Sequence, residues 1–476
     1  MLTLREVAAM TGGTLVVPPS LALPDAAALA VDGVSTDSRS VATGSLFLAL
    51  SGDRFDGHAF VATAAAGGAR AALVETGRDA GGLPSVQVAD VRRALGDLAA
   101  GWRRRVALPL AVVTGSNGKT TTKEMIAAIL VAAYGADAVC ATRGNLNNDI
   151  GLPLTLLRLR THHRAAVVEL GMNHPGETAR LAAIAAPDVA LVVNAQREHQ
   201  EFMQSVAAVA EEHALAIAAL DADGVAVFPA TDAHAGVWRR AAGSRRVVDF
   251  ACATDGPAPT AALVARVHLD VDGSVVHLAT RDGDTATARL SVPGSHNAHN
   301  ATAAAAVGVA LGLPMQTIAA GLEAFRPVSG RTQRLVVDGV VVIDDSYNAN
   351  PDSMRAAIDL LASHAAPRLM VMGDMGEVGD DGPRFHAEVG AHARERGIES
   401  LYALGAASGA SVDAFGTAGR HFATVEPLIA AVGDWMAARR DDATASGAIV
   451  VKGSRFMRME RVVAALRGAV ATEGAH

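Results

Sequence analysis

A chain of 476 residues exceeds what one hydrophobic core organises, since single cores stop growing near ~250–300 residues, so two or three domains are expected, with three favoured. Half the residues are apolar and 19% are charged, which argues against disorder, while a formal charge of −8 and a pI near 6.0 leave no electrostatic footprint for a nucleic-acid or anionic-membrane partner. Cys140 and Cys252 stand far apart with no Cys/His pattern around them, so neither a disulfide framework nor a zinc site is expected.

The opening M-L-T-L-R-E-V-A-A-M lacks a basic segment followed by a long apolar run, and no stretch approaches ~18 apolar residues, so a cytoplasmic protein without a membrane span is expected. From residue 1 to about Arg105 short strands and turns alternate, among them Val34–Arg39 and Ser45–Leu50, as in a small mixed α/β domain. Gly101–Arg105 reads as a basic, exposed link. Leu108–Val113 is then a buried strand running into a glycine turn. Strands at Ala165–Leu170, Val189–Asn194, Gly224–Phe228 and Arg246–Phe250 alternate with alanine-rich helices, the pattern of a parallel sheet covered by helices. Asp272-Gly273 marks a hairpin within Ala262–Thr280, an antiparallel appendage at the sheet edge. After Phe325–Arg331, strands at Val340–Asp344, Arg368–Met372, Ser400–Leu404 and Ala448–Val451 outline a second, smaller α/β domain of Rossmann-like pattern. The expected domains are 1–105, 106–328 and 329–476.

The run T-G-S-N-G-K-T at Thr114–Thr120 joins a strand to a helix. Gly115 and Gly118 let backbone N–H groups approach a phosphate, and the helix start adds unpaired donors and a positive dipole end. Lys119 is placed to reach the β/γ-phosphates and Thr120 to ligate Mg²⁺. Lysine is scarce in this chain, occurring only at 119, 123 and 452, so each position draws attention. The general phosphate-loop pattern asks for glycine where Val113 stands.

The loop with its neighbours resembles the Mur ligase family, whose shorter T-G-x-x-G-K-[ST] form removes that discrepancy. Thr142–Pro153 (T-R-G-N-L-N-N-D-I-G-L-P), Val167–Glu177 (V-V-E-L-G-M-N-H-P-G-E), Pro293–Ala301 (P-G-S-H-N-A-H-N-A), Gly330–Arg334 and Ile343–Met354 (I-D-D-S-Y-N-A-N-P-D-S-M) follow in the family's order, covering essentially the whole chain. Asp344–Pro351, Val371–Gly379 and Val451–Glu460 resemble the branch that adds D-alanyl-D-alanine to UDP-N-acetylmuramoyl-tripeptide, and the D-N-P-R motif of the diaminopimelate-adding branch is absent. Thr36–Arg39 and Leu46–Phe60 look like the family's UDP-sugar-binding domain.

The resemblance implies a monomeric ATP- and Mg²⁺-dependent ligase that joins two small-molecule substrates. A peptidyl carboxylate attacks the γ-phosphorus, and an amine captures the acyl phosphate formed. By motif position, Thr114, Gly115, Ser116, Asn117, Gly118, Lys119 and Thr120 cradle the phosphates, Glu169 holds Mg²⁺, and His199 matches the histidine of a second metal. His296, Asn297 and Asn300 resemble the adenine-contacting segment, although helix capping competes for Asn297. Arg331 matches the arginine aimed at the γ-phosphate and Asp345 the carboxylate holding the ribose, so domain closure is expected to complete the site. Ser38 and Arg39 are candidates for the uridine diphosphate, and Asn348 and Asn350 for the dipeptide. Asn145, Asn147 and Asn148 either line the cleft or serve turn chemistry.

One departure stands out. Many family members carry a carbamylated lysine after the histidine, and no lysine lies between Lys123 and Lys452. Glu211 or Glu212 is the expected replacement carboxylate, against the alternative of solvated helix charges. Two further readings of the chain are a folylpolyglutamate synthase, which needs no UDP-sugar domain, and a non-catalytic ATP-binding regulator.

Overall fold

A computed structural model describes residues 2–19, 21–52, 55–254, 256, 259–440 and 447–468. Asp53 and Arg54, within the UDP-sugar-like segment, lie outside the described residues. Three main sheets follow one another along the chain, each built from a contiguous stretch.

The first has five strands, β1 (Thr14–Val16), β2 (Val34–Ser35), β3 (Leu46–Leu48), β4 (Ala71–Glu75) and β5 (Ser85–Val88), in the order β1-β5-β4-β3-β2. Only the β1–β5 pair is antiparallel. Helix α1 (Val91–Arg105), capped by Asp90, leaves this sheet for the next. Its last turn corrects the expectation of an exposed link at Gly101–Arg105. Arg103 is buried and donates to the carbonyls of Val106, Ala185 and Ala186 and to Asp188. The basic run hid this because arginine can bury a guanidinium once all its donors are satisfied.

The central sheet has nine strands: β6 (Leu110–Thr114), β7 (Val139–Ala141), β8 (Ala165–Glu169), β9 (Val189–Val192), β10 (Val225–Pro229), β11 (Arg246–Ala253), β12 (Leu263–Leu269), β13 (Ser274–Thr280) and β14 (Thr285–Leu290). Their order is β7-β8-β6-β9-β10-β11-β12-β13-β14. The first seven in that order are parallel, and β13 and β14 add an antiparallel edge one strand longer than the expected hairpin. Strands β6, β8, β9 and β10 are buried along their whole length, as a sheet covered on both faces requires. The intervening helices include α2 (Lys119–Tyr134), α3 (Gly151–Leu156), α4 (Glu177–Ala185) and α5 (Val206–Ala218). Beyond the edge strands follow α6 (Ser295–Ala310) and α7 (Met315–Ala324). Because β6 has β8 on one side and β9 on the other, successive crossovers leave it in opposite directions. Open α/β sheets bind ligands at the carboxyl ends of strands at such a reversal.

The third sheet comprises β15 (Gln333–Val337), β16 (Val340–Asp345), β17 (Arg368–Gly373), β18 (Ser400–Leu404), β19 (Gly419–Phe422) and β20 (Ala448–Lys452), ordered β15-β16-β20-β17-β18-β19. All neighbours run parallel except the β15–β16 hairpin. Its helices include α8 (Pro351–Ala362) and α9 (Gly382–Glu395). Asp345 and Lys452 sit opposite each other at the carboxyl ends of β16 and β20.

Candidate active site

The loop after β6 carries its glycines where the backbone demands them. Gly118 caps α2 with φ 82°, and a Cβ there would lie 2.2 Å from the Asn300 side chain. At Gly115, φ is 135° and a Cβ would meet the backbone of Val193 and Asn194 at 3.0–3.1 Å. These two positions let the loop fold tightly over the end of β9, leaving the α2 amino end facing open space.

Lys119 folds back over this loop. Its Nζ donates to the carbonyls of Gly115 (2.5 Å) and Ser116 (3.3 Å) and to Glu198 Oε2 (3.2 Å). Beside it, Thr120 Oγ1 donates to Glu169 Oε2 at 2.8 Å, while Asn147 Nδ2 donates to Glu169 Oε1 at 2.7 Å. Strand register accounts for the meeting, since Glu169 ends β8 opposite Val113 on β6. Asn147 therefore belongs to the site. Asn148 also lines the cavity while its side chain accepts from the Ile150 and Gly151 amides, which is turn chemistry, and Asn145 is an exposed residue on the cavity wall.

Glu198 is the residue that sequence reasoning missed. It is buried, accepts from Lys119, and its Oε1 lies 2.8 Å from His213 Nε2, whose Nδ1 lies 2.9 Å from Thr114 Oγ1. Burial pushes the Glu198 carboxyl up, but the Lys119 ammonium and the His213 contact outweigh it and hold the carboxyl at about 2. A charged acid next to a strand-end histidine was the available signal, in R-E-H at Arg197–His199.

Glu211 and Glu212 correct an expectation, because neither lines the cavity. Glu211 is exposed, 4.0 Å from Arg240. Glu212 turns to the start of α4, where its oxygens accept from the Gly176 and Thr178 amides at 2.8 Å each. One helical step further, at His213, the side chain points at the phosphate loop. His199, in left-handed backbone (φ 46°), sets Nδ1 2.6 Å from Glu377 Oε2 of the third domain, with Nε2 4.0 Å from Glu198.

That third domain supplies the opposite wall. Asp345 Oδ1 accepts from the Thr332 amide at 3.0 Å, and its Oδ2 accepts from Lys452 Nζ at 2.6 Å, while Lys452 also donates to the Asn348 carbonyl. His296 Nε2 approaches Thr332 Oγ1 at 3.4 Å, joining the start of α6 to the Asp345 cluster. Asn297 does not cap α6, whose N-cap is Gly294; its side-chain amide donates to the Pro293 carbonyl, it lies on the cavity wall, and Asn300 packs against Gly118. Arg331 lies over the Tyr347 ring, 4.1 Å from its centroid. Asn350 caps α8 and donates to Asn117 Oδ1 at 2.9 Å, so it ties the third domain to the phosphate loop. Arg197 reinforces that contact with ion pairs to Asp352 and Glu388.

These groups face one cavity of about 680 Å³, walled by the phosphate loop, Glu169, Glu198, His296, Arg331, Asp345, Asn348 and Lys452. Ser38 and Arg39 stand outside it on the N-terminal domain, where the Arg39 guanidinium pairs with Asp37. Among the described residues no three acidic, histidine or cysteine side chains form a metal cage. The hydroxyl of Thr120 and the carboxylate of Glu169 nonetheless fit Mg²⁺, a hard cation that takes one or two protein oxygens and completes its shell with phosphates and water.

Three family descriptions match in chain order: the Mur ligase family catalytic domain over residues 30–103, the Mur ligase middle domain over 113–308, and the Mur ligase glutamate ligase domain over 330–455. The UDP-N-acetylmuramoyl-tripeptide–D-alanyl-D-alanine ligase of Escherichia coli is 39% identical over 440 residues, covering 92% of this chain and 94% of its own. A crystal structure of MurF from Acinetobacter baumannii superposes with a TM-score of 0.88 at 34% identity, covering 98% of both chains. A structure of UDP-N-acetylmuramoylalanyl-D-glutamyl-2,6-diaminopimelate–D-alanyl-D-alanyl ligase from the same organism gives 0.83 at 33% identity, again over 98% of each chain. MurF ligase from Thermotoga maritima in complex with ADP gives 0.78 at 25% identity, covering 92% of this chain and 97% of that one.

Proposed function

The chain belongs to the Mur ligase family, and from that premise we propose that it ligates D-alanyl-D-alanine to UDP-N-acetylmuramoyl-tripeptide, with ATP converted to ADP and phosphate. The observation that carries this reading is the single cavity in which Lys119, Thr120 and Glu169 of the central domain face Arg331, Asp345 and Lys452 of the third. A carboxylate is a poor electrophile. Transfer of the γ-phosphoryl group converts it to an acyl phosphate, which the dipeptide amine then attacks with phosphate leaving.

Phosphoryl transfer needs positioned charge more than covalent help. Lys119 leaves the loop carbonyls for the β/γ-phosphates, where its ammonium offsets developing negative charge, and Glu198 keeps that ammonium at the loop before nucleotide binds. Loop amides at Gly115–Lys119 and the α2 amino end hold the phosphates. Mg²⁺ would be held by Thr120 and Glu169, where it supplies charge neutralisation of the phosphate oxygens. Asn147 fixes the Glu169 carboxylate through the other oxygen. Arg331 reaches the γ-phosphate side from the junction between domains, and His296 and Asp345 flank the nucleoside end. We assign His199 to the contact with Glu377 and Asn350 to the contact with Asn117, leaving Asn348 for the dipeptide side.

The same reading divides the chain at 105/106 and 328/329 into UDP-sugar-binding, ATP-binding and closing domains, with Ser38 and Arg39 toward the uridine diphosphate. It makes the enzyme a cytoplasmic monomer of peptidoglycan precursor synthesis. No helix among the described residues is long and apolar enough to cross a membrane. A phosphate-release assay tests the function. Release should require UDP-N-acetylmuramoyl-tripeptide and D-alanyl-D-alanine together, whereas release with folate and glutamate, or ATP binding without turnover, refutes it.

A further inference from the structure

Resting on the placement of Mg²⁺ at Thr120 and Glu169, we propose that Lys123 is a positioning residue for that metal, pinning to α2 the loop that sets the Glu169 carboxylate. Of the three lysines in the chain, Lys119 and Lys452 face the cavity and Lys123 does not. Its side chain is fully buried instead, one helical turn after Lys119 on the helix that begins with Lys119 and Thr120. A buried lysine is costly unless its donors find partners, so those partners indicate its role.

Lys123 Nζ donates to the Thr142 carbonyl at 2.7 Å and to the Glu124 carboxylate. Glu124 alone gives no reason for burial, because its side chain is 36% exposed and a pair formed at the surface would satisfy it. Packing alone does not select lysine either, since methionine fills a similar volume without taking a charge out of water.

Thr142 supplies the reason. It is buried just past β7, where it opens the loop that runs to α3. Its Oγ1 accepts from the Glu169 amide at 3.0 Å, and its own amide donates to the Val167 carbonyl at 3.2 Å. Further along the same loop, Asn147 Nδ2 donates to Glu169 Oε1 at 2.7 Å, and the Asn147 carbonyl accepts from the Gly171 amide at 2.9 Å. The fit is close, for a Cβ on Gly171 would lie 2.8 Å from the Asn147 side chain. The loop therefore grips Glu169 by its backbone and by one carboxylate oxygen, leaving Oε2 to Thr120. Helix α2 fixes both halves of the metal site in this way: Thr120 directly, and Glu169 through Lys123, Thr142 and Asn147.

Lys123→Met is the test, because it keeps the apolar stem and removes Nζ. Mn²⁺ is the probe, followed by electron paramagnetic resonance in the presence of saturating ADP. Its Kd should rise about tenfold, the scale of one charge-assisted hydrogen bond, while ADP affinity measured without metal changes less than about twofold. In the phosphate-release assay the Mg²⁺ concentration for half-maximal rate should rise by the same factor, with kcat at saturating Mg²⁺ and KM for D-alanyl-D-alanine within about twofold of wild type. Asn147→Ala should also raise the Mn²⁺ Kd, and the double variant should lose no more than the weaker single one, since both act through one loop. A lysine with a purely structural role would lower the melting temperature and leave the Mn²⁺ Kd unchanged. That result overturns the proposal, as do additive losses in the double variant or a wild type that binds no Mn²⁺ with ADP. If Lys123→Met does not fold, Thr142→Val keeps the buried lysine and removes the hydroxyl beneath the Glu169 amide; an unchanged Mn²⁺ Kd in that variant overturns the proposal equally. The Mn²⁺ titration needs no turnover, so its failure is distinct from failure of the ligase reading, in which wild type releases no phosphate with any acceptor.

Discussion

Glu198 gives Lys119 a buried anionic partner that Glu211, on the outer face of α5, has no means to supply. Glu198→Gln keeps the shape and removes the charge, leaving Lys119 with carbonyls alone. Losing a charged partner of this kind costs about 2 kcal/mol, so denaturant unfolding of the nucleotide-free protein should show that loss. Glu211→Gln should stay within about 0.5 kcal/mol of wild type, as an exposed pair at 4.0 Å contributes little. At this scale the phosphate loop was legible in the sequence because glycine, lysine and threonine occur in a fixed order along one short segment. Glu198 was not, because its meaning depends on His213 and Lys119, 15 and 79 residues away, arriving at the same point. Neither Glu211 nor Glu212 faces the loop because helical phase gives that direction to the next position, His213.

At the scale of elements, packing explains why the helices around the central sheet are rich in alanine. Helix α6 is buried along Ala298, Ala301 and Ala303–Ala306, and α7 crosses α2 so closely that a Cβ on Gly321 would meet Ile129 Cα at 2.4 Å. Small residues here set how near the helices lie to the phosphate loop they support. The α1 end shows the opposite device, a long buried side chain. Arg103→Met removes four donated hydrogen bonds and leaves Asp188 without its ion pair, so unfolding in denaturant should lose about 3 kcal/mol, with kcat at 25 °C much less affected. Strand positions were legible from apolar runs bounded by glycine and proline. The edge strands β14, β15 and β19 were not, since half of each faces solvent and polar residues interrupt the run.

The whole molecule is organised by how its third domain meets the central one, and Arg197 stands at that junction. Its ion pairs with Glu388, assisted by Arg355, hold the Glu388 carboxyl at about 2, below its ordinary 4.5. A folded-state pKa depressed in this way contributes stability that is fully present above about 4.5 and lost as pH falls toward 2. The difference in melting temperature between wild type and Glu388→Gln should therefore hold steady from pH 8 to about 5.5 and shrink in more acidic buffer; a constant difference down to pH 3 contradicts the assignment. Three-domain order and the family resemblance were legible from motif sequence along the chain. Closure contacts such as Arg197–Asp352 and Asn117–Asn350 were not, because they join residues 155 and 233 positions apart that only domain placement brings together.

The central claim is that the cavity between those domains activates a peptide carboxylate by phosphorylation. Labelling the reacting carboxyl of UDP-N-acetylmuramoyl-tripeptide with ¹⁸O, then measuring the mass of the phosphate released with ATP and D-alanyl-D-alanine, tests it directly. One labelled oxygen should appear in each phosphate, with the other retained in the new amide. Phosphate free of label alongside continued ATP consumption would contradict the account.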